Sequence, residues 1–209
     1  MKQKNNKIRI AIQNSGRLRE SSLDFLKSLG LKFKITERSL ITPCLNADVD
    51  ILSVRNSDIP KYLKNNSADY GIVGENVLIE NKSKLKIMKR LGFGLCSLVI
   101  AIPKKSKIVS PSDLRDERIA TSYKNTLKNY LKKNKINASI VNIQGSVEIC
   151  PSINLSDAIC DITQSGNTLK ENGLKILEKI LDSEAVLVKN PYLSQQKKTY
   201  FERFMKNTL

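Results

Sequence analysis

The hydropathy pattern switches repeatedly between a period of two and a period near 3.6, and that alternation restricts the chain to the α/β class. Ile8-Arg9-Ile10-Ala11-Ile12 alternates as a strand does, and Gln13-Asn14-Ser15-Gly16 follows as a polar turn. Leu23, Leu26 and Leu29 then recur at helical spacing, with Gly30 placed to end the helix. Further strands are predicted at 49–54, 70–73, 98–102, 118–121, 139–143, 158–162 and 184–188. Between them fall a short helix over 57–65, with Asp58 and Pro60 in its first turn, and a basic amphipathic helix over 125–133. The segment near 101–104 is the best place for the chain to pass between two lobes.

Two stretches echo one another. Ala68-Asp69-Tyr70-Gly71-Ile72-Val73-Gly74 and the residues to Leu78 resemble Asp157-Ala158-Ile159-Cys160-Asp161-Ile162 and the residues to Leu169. Each reads as a short strand, a glycine-containing turn and a helix start. Two similar lobes facing each other across a cleft account for this, and so does chance likeness between two strand–turn–helix units.

Composition removes several function classes. The longest nearly apolar run, Leu95–Ile102, falls far short of the roughly 20 residues that cross a bilayer. Ile8–Ile12 is too short, and too interrupted by Arg9, for a signal peptide, so a soluble, cytoplasmic protein without membrane partners is expected. Four cysteines, at 44, 96, 150 and 160, form no CxxC pair, and histidine is absent. No zinc site is expected, and all four thiols read as small, reduced, buried hydrophobes. Without histidine there is no Ser–His or Cys–His nucleophile. Carboxylates, Lys, Arg, Tyr, backbone amides or a metal carried in with substrate must do the chemistry. The net charge of +16 admits a nucleic-acid partner. Scattered single lysines in a chain rich in Asn and Ile point instead to an AT-rich genome, and 5% aromatic residues offer little for base stacking. A positive field would still draw in small polyanions.

Four segments are suited to ligand chemistry. Asp161-Ile162-Thr163-Gln164-Ser165-Gly166-Asn167-Thr168 delivers a buried strand into a hydroxyl-rich turn and a helix start that ends near Gly173. Gly166 permits close backbone approach, free amides and hydroxyls suit a phosphate, and Asp161 suits vicinal ribose hydroxyls. An ordinary helix N-cap is the alternative. Gly145-Ser146-Val147-Glu148 precedes an apolar helical stretch, where Glu148 either binds ribose or favours the helix N-terminus. Ser15-Gly16-Arg17 puts an arginine at a strand's carboxyl end, where α/β sheets bind ligands, and Arg38 and Arg55 could join it on one anion. Solvated surface arginines are the plainer alternative. Gly74-Glu75-Asn76 sets a carboxylate and an amide after another strand, as a generic turn also would.

In order along the chain, IAIQNSGR (10–17), DILSVRNSDIP (50–60), DYGIVGENVL (69–78), RIATSY (118–123), GSVEICP (145–151) and DAICDITQSGNTLKENGL (157–174) resemble the catalytic subunit of ATP phosphoribosyltransferase. The resemblance covers about Ile8 to Asn190. It implies two α/β lobes like those of type II periplasmic binding proteins, with the active site in the cleft between them. It divides the chain into 1–100 plus 181–209, and 101–180 as the phosphoribosyl pyrophosphate lobe. It also implies the reaction: N1 of ATP attacks C1 of phosphoribosyl pyrophosphate and expels pyrophosphate. Adenine N1 is unprotonated at neutral pH, so the missing histidine is no obstacle. Mg²⁺ would arrive on the substrate phosphates with few protein ligands.

Residue by residue, the resemblance puts Thr163, Gln164, Ser165, Gly166, Asn167 and Thr168 at the 5-phosphate, and Asp161 and Glu148 near the ribose. Arg17 and Arg38 match arginines at the leaving pyrophosphate; Arg55, Glu75 and Tyr123 match positions on the ATP side. The chain departs from the family at Gln164-Ser165, where a small or acidic residue and Thr are usual, and at Asn154, where Gly is usual and strain in the turn is expected. Long-form members carry a C-terminal ACT-like domain that binds histidine, whereas this sequence ends at Leu209 after a terminal helix over 195–209. Two expectations follow: loss of the feedback domain, or a homo-oligomer or hetero-oligomer that includes a regulatory subunit related to histidyl-tRNA synthetase. A solute-binding protein of the same fold and a basic nucleic-acid-binding protein remain as rival functions.

Overall fold

The computed structural model describes residues 7–36 and 39–206, so Arg38 lies outside the described residues. In chain order the elements begin with β1 (Ile8–Gln13), α1 (Gly16–Ser28), β2 (Ile41–Pro43), β3 (Val49–Val54), α2 (Ile59–Lys64), β4 (Tyr70–Gly74), α3 (Glu75–Glu80) and β5 (Ile87–Arg90). They continue with β6 (Cys96–Pro103), β7 (Arg118–Thr121), α4 (Lys124–Lys133), β8 (Ser139–Asn142), β9 (Ala158–Thr163), α5 (Asn167–Glu171) and β10 (Leu174–Ser183). The last two are β11 (Ala185–Lys189) and α6 (Gln195–Lys206). Two compact units result. Met1–Leu78, Lys82–Gly94 and Glu184–Leu209 form the first; Ile79–Asn81 and Leu95–Ser183 form the second. The chain passes between them at 78/79, 81/82, 94/95 and 183/184, and Ala101 and Ile102 lie inside β6.

In the first unit the sheet order is β2-β3-β1-β4-β11-β5. Strands β3, β1 and β4 are parallel, and β11 runs antiparallel to β4. Strand alternation divides the core. Ile8, Ile10 and Ile12 join Leu23 and Leu26 of α1 and Phe201 of α6 on one face. Ala11 joins Ile59 and Leu63 of α2 and Val77 of α3 on the other. The helix expected over 57–65 is split: Asn56–Asp58 forms a 3₁₀ turn, and α2 starts afresh with Pro60 near its beginning, where a missing N–H costs nothing.

The second unit repeats this plan. Its order is β10-β6-β9-β7-β8, with β8, β7 and β9 parallel and β6 antiparallel to β9. Thus β8-β7-β9-β6 matches β3-β1-β4-β11, and the echo between 68–78 and 157–169 is topological. The match reaches individual bonds. The Arg9 amide donates to Asp69 at 2.8 Å and the Arg118 amide to Asp157 at 2.9 Å. In return, the Asp69 amide donates to the Arg9 carbonyl and the Asp157 amide to the Arg118 carbonyl, both at 2.8 Å.

Other expectations need correction. Strands β2, β5 and β10 do not stand out in the hydropathy pattern. The apolar stretch after Glu148 is a 3₁₀ helix, Val147–Ile153, interrupted by Pro151. Among the cysteines only Cys150 and Cys160 are buried; Cys44 and Cys96 are half-buried. Burial pushes the Cys160 thiol up to about 12 and Cys44 to about 11, so both stay protonated. Among the described residues no helix is long and apolar enough to cross a membrane.

Candidate functional site

Parallel strands present their carboxyl ends on one side of a sheet, and loops there can converge on a ligand. In the second unit three adjacent parallel strands bring the predicted residues to such an end. Strand β7 leads to Tyr123, β8 to Gly145–Glu148, and β9 to Asp161 and the Thr163–Thr168 loop. The 3₁₀ helix that carries Glu148 packs Val147 and Cys150 against Ile159 of β9, which brings Glu148 towards Asp161. Asp161 is half-buried, and its pKa is pushed up to about 6. Burial is the main cause and the charge of Glu148 adds to it, while the Ile162 amide, donating at 2.8 Å, opposes them. Two carboxylates whose charges act on each other in this way suit a ligand rich in hydroxyl donors or one that develops positive charge.

The loop after Asp161 is organised by its own side chains. The Gly166 amide donates to Thr163 Oγ1 at 3.0 Å, and the Asn167 amide donates weakly to Ser165 Oγ at 3.4 Å. Two amides expected to be free are therefore engaged, whereas those of Thr168 and Leu169 have no hydrogen-bond partner among the described residues. Gly166 has φ +76°, where a side chain is disfavoured, and an added Cβ would meet open space. Gln164, Ser165, Asn167 and Thr168 are all exposed, so the loop presents polar groups to solvent. Asn154 does sit at φ +57°, a conformation asparagine tolerates better than most residues, and the Arg118 guanidinium donates to its carbonyl at 2.9 Å.

Sequence patterns missed Thr121, which is buried at the end of β7. Its hydroxyl donates to the Cys160 carbonyl at 2.6 Å and accepts the Tyr123 amide at 2.8 Å. One side chain thus fixes both the residue before Asp161 and the start of α4. A polar residue closing an apolar strand was the available signal. Glu80 was also missed. Its carboxylate accepts the amides of Asn125 and Thr126 at 2.8 and 2.9 Å and so caps α4, in place of any local capping residue.

In the first unit β3, β1 and β4 likewise end together. Asn14 donates its amide to the Val54 carbonyl at 2.9 Å, which joins the ends of β1 and β3. Arg17 lies exposed on the first turn of α1 and makes no ion pair among the described residues. Arg55, also exposed, lines a pocket of about 610 Å³ with Asn14, Asp58, Tyr62 and Arg9. Glu75 follows β4 and is held by Arg90 through two bonds, at 2.5 and 2.6 Å. Arg90 carried no local signal, because only the pairing of β5 with β11 brings it to this end of the sheet.

Comparison with known proteins identifies the family. A family model described as ATP phosphoribosyltransferase matches residues 55–208. An ATP phosphoribosyltransferase from Cytophaga hutchinsonii is 46% identical over 198 residues, covering 95% of this chain and 69% of its own. Among solved structures, one titled "ATP phosphoribosyl transferase (HisG:HisZ) complex from Thermotoga maritima" superposes with a TM-score of 0.80 at 32% identity, covering 96% of this chain and 98% of that one. The alkanesulfonate-binding protein SsuA from Xanthomonas axonopodis pv. citri reaches a TM-score of 0.63 at 15% identity, covering 97% and 72%, and shows the periplasmic-binding-protein-like fold alone. The chain belongs to the ATP phosphoribosyltransferase family, the transferases of the first step of histidine biosynthesis.

Proposed function

We propose that the second unit takes phosphoribosyl pyrophosphate while arginines of the first unit take the leaving pyrophosphate and Glu75 and Arg55 serve the ATP. The observation that carries this is the half-buried pair Asp161 and Glu148 beside a loop whose Thr168 and Leu169 amides have no hydrogen-bond partner among the described residues. A sugar phosphate matches both: its hydroxyls donate to the carboxylates and its 5-phosphate accepts from the loop. Above about pH 6 Asp161 is an acceptor only. As the bond from C1 to pyrophosphate lengthens, positive charge grows on the ribose, and carboxylates already in place stabilise it without reorganising.

The nucleophile needs no base from the protein, since adenine N1 carries a free lone pair at neutral pH. The protein's tasks are alignment of two polyanions and neutralisation of the departing one. Arg17, exposed and without an ion pair among the described residues, is suited to fork onto pyrophosphate oxygens. Arg38 is assigned the same role from the family resemblance. Tyr123, whose amide is tied through Thr121 to the Cys160 carbonyl, is assigned to the ATP side from the family resemblance. Mg²⁺ enters as part of the substrates, where it offsets phosphate charge.

These phosphorylated substrates belong to the cytoplasm. By analogy with the complex from Thermotoga maritima, the chain works within an oligomer that includes a regulatory subunit, one related to histidyl-tRNA synthetase. Incubation of the purified chain with ATP, phosphoribosyl pyrophosphate and Mg²⁺, alone and with such a subunit, should yield the N1-ribosylated nucleotide and pyrophosphate. Absence of product under both conditions would overturn the assignment. Strong inhibition of the isolated chain by histidine would exclude a simple loss of feedback. Asp161→Asn and Arg17→Ala should each abolish transfer, and unchanged turnover in both would sink the site assignment.

A further inference from the structure

Arg90 does more than close an ion pair on a surface. Its Nη1 and Nη2 fork onto the two oxygens of Glu75 at 2.5 and 2.6 Å, and Nη1 also reaches Glu184 Oε1 at 3.4 Å. The other oxygen of Glu184 accepts the Gly92 amide at 2.8 Å, and the Glu184 carbonyl accepts the Glu75 amide at 2.9 Å. Further main-chain bonds join Leu91 to Ala185 at 3.0 Å and Ala185 to Phe93 at 2.8 Å. Glu184 is thus a hub that grips the first residue of α3, the end of β5 and the segment just before residue 95. The side chains of Glu75 and Glu184 are 18% and 19% exposed, while that of Arg90 is 55% exposed. Two mostly covered carboxylates converge on one guanidinium that remains open to solvent.

An ion pair of this exposure adds little to stability in general. Its geometry is another matter, because a bidentate fork fixes the plane of the Glu75 carboxylate as well as its charge. The charge is relevant to the ligand. ATP is a polyanion, and a bare carboxylate beside it is repelled. A carboxylate paired with Arg90 keeps lone pairs for hydroxyl or amino donors and has its own charge offset, while the Glu75–Arg90–Glu184 group as a whole carries one net negative charge.

We infer that Arg90 and Glu184 are positioning residues for the ATP side of the site: Arg90 orients Glu75 and offsets its charge, and Glu184 holds Arg90 and the Glu75 amide in place, so that Glu75 accepts hydrogen bonds from the nucleoside part of ATP. This rests on the assignment of Glu75 to ATP. The test is steady-state kinetics on Glu75→Gln, Arg90→Ala, Arg90→Lys and Glu184→Gln, with the KM of each substrate measured separately and folding checked by thermal melting. Arg90→Ala should raise the KM for ATP roughly tenfold, the scale of a lost charge-assisted hydrogen bond, while the KM for phosphoribosyl pyrophosphate moves less than about twofold. Arg90→Lys keeps the charge without the fork and should recover part of that loss. Glu184→Gln should raise the KM for ATP by a smaller factor in the same direction, and it carries the test if Arg90→Ala does not fold. Equal rises in both KM values, or no rescue by lysine, would overturn the positioning role. If Glu75→Gln raises the KM for ATP and Arg90→Ala does not, the inference fails while the assignment of Glu75 stands. No change in Glu75→Gln would remove the assignment and the inference together.

Discussion

Asp157 receives three hydrogen bonds from Arg118: the backbone amide at 2.9 Å, Nε at 3.0 Å and Nη2 at 2.9 Å. Its counterpart in the first unit, Asp69, receives the Arg9 amide in the same way, but its side-chain partner is Lys197 of α6, at 2.9 Å. Burial separates the two pairs. The Asp69 side chain is 8% exposed and that of Asp157 is 33% exposed. Asp69→Ala leaves a covered lysine without its partner and should cost about 3 kcal/mol. Asp157→Ala leaves an arginine that solvent can reach and should cost about 1 kcal/mol. Urea denaturation of the two variants would test the order, and equal losses would refute it.

The raised pKa of Asp161 sets stability against activity. Its ordinary value is 3.8 and its folded value about 6. The folded state therefore holds this proton more tightly. The stability linked to it is fully present below pH 4 and is lost as pH rises through about 6. Asp161→Asn removes the penalty of a buried charge and should be more stable than the parent by about 1–2 kcal/mol at pH 8. That gap should vanish below pH 4, and transfer activity should be gone at every pH. Melting curves across pH, paired with turnover assays, would check both halves.

Two glycines should respond to alanine for opposite reasons. At Gly166 the added Cβ meets nothing, but φ is +76°, so the cost is backbone strain of about 1–2 kcal/mol. The loop's hold on substrate should weaken, seen as a higher KM for phosphoribosyl pyrophosphate. At Gly71 the backbone is ordinary, but the new methyl would stand 2.6 Å from Ile59 Cγ2 and 3.1 Å from Leu63 Cδ1. Overpacking between β4 and α2 should cost about 2–3 kcal/mol and leave both KM values unchanged. Denaturation and kinetics on the two variants separate the effects.

Tyr70 is fully buried and stacks on Phe201 with ring centroids 4.0 Å apart, yet its hydroxyl has no partner among the described residues. Burial holds that phenol well above its ordinary pKa. Tyr70→Phe keeps the stack and removes an unsatisfied polar atom, so stability should stay level or rise by up to about 1 kcal/mol. A clear fall in melting temperature would contradict this.

The fold was legible wherever residues satisfied their own local pattern. Ile8–Ile12 alternates in sequence, and the structure places Ile8, Ile10 and Ile12 in one core cluster and Ala11 in the other. Strand β10 escaped notice for a physical reason. Register shifts between Ile176 and Glu178, and between Lys179 and Leu181, break its alternation. Leu174, Leu177 and Leu181 are left at spacings that imitate a helix. The short strands β2 and β5 offer too few residues for any period to show. The candidate site residues stood out as strand-end segments with glycine, hydroxyl and carboxylate groups; Thr121 offered only the weak signal of a polar residue closing an apolar strand, and the partnership of Arg90 with Glu184 offered none.

What the sequence alone determined was the α/β class, the strand-end loops and, through ordered motifs, the family. These are local properties, carried by residues within about ten positions of one another. The tertiary structure decided which groups share an environment. The 90–184 contact, the Glu80 cap on α4 and the proximity of Glu148 to Asp161 each join distant segments through sheet pairing and packing. Their energies depend on burial and distance, and neither exists until the strands have found their order.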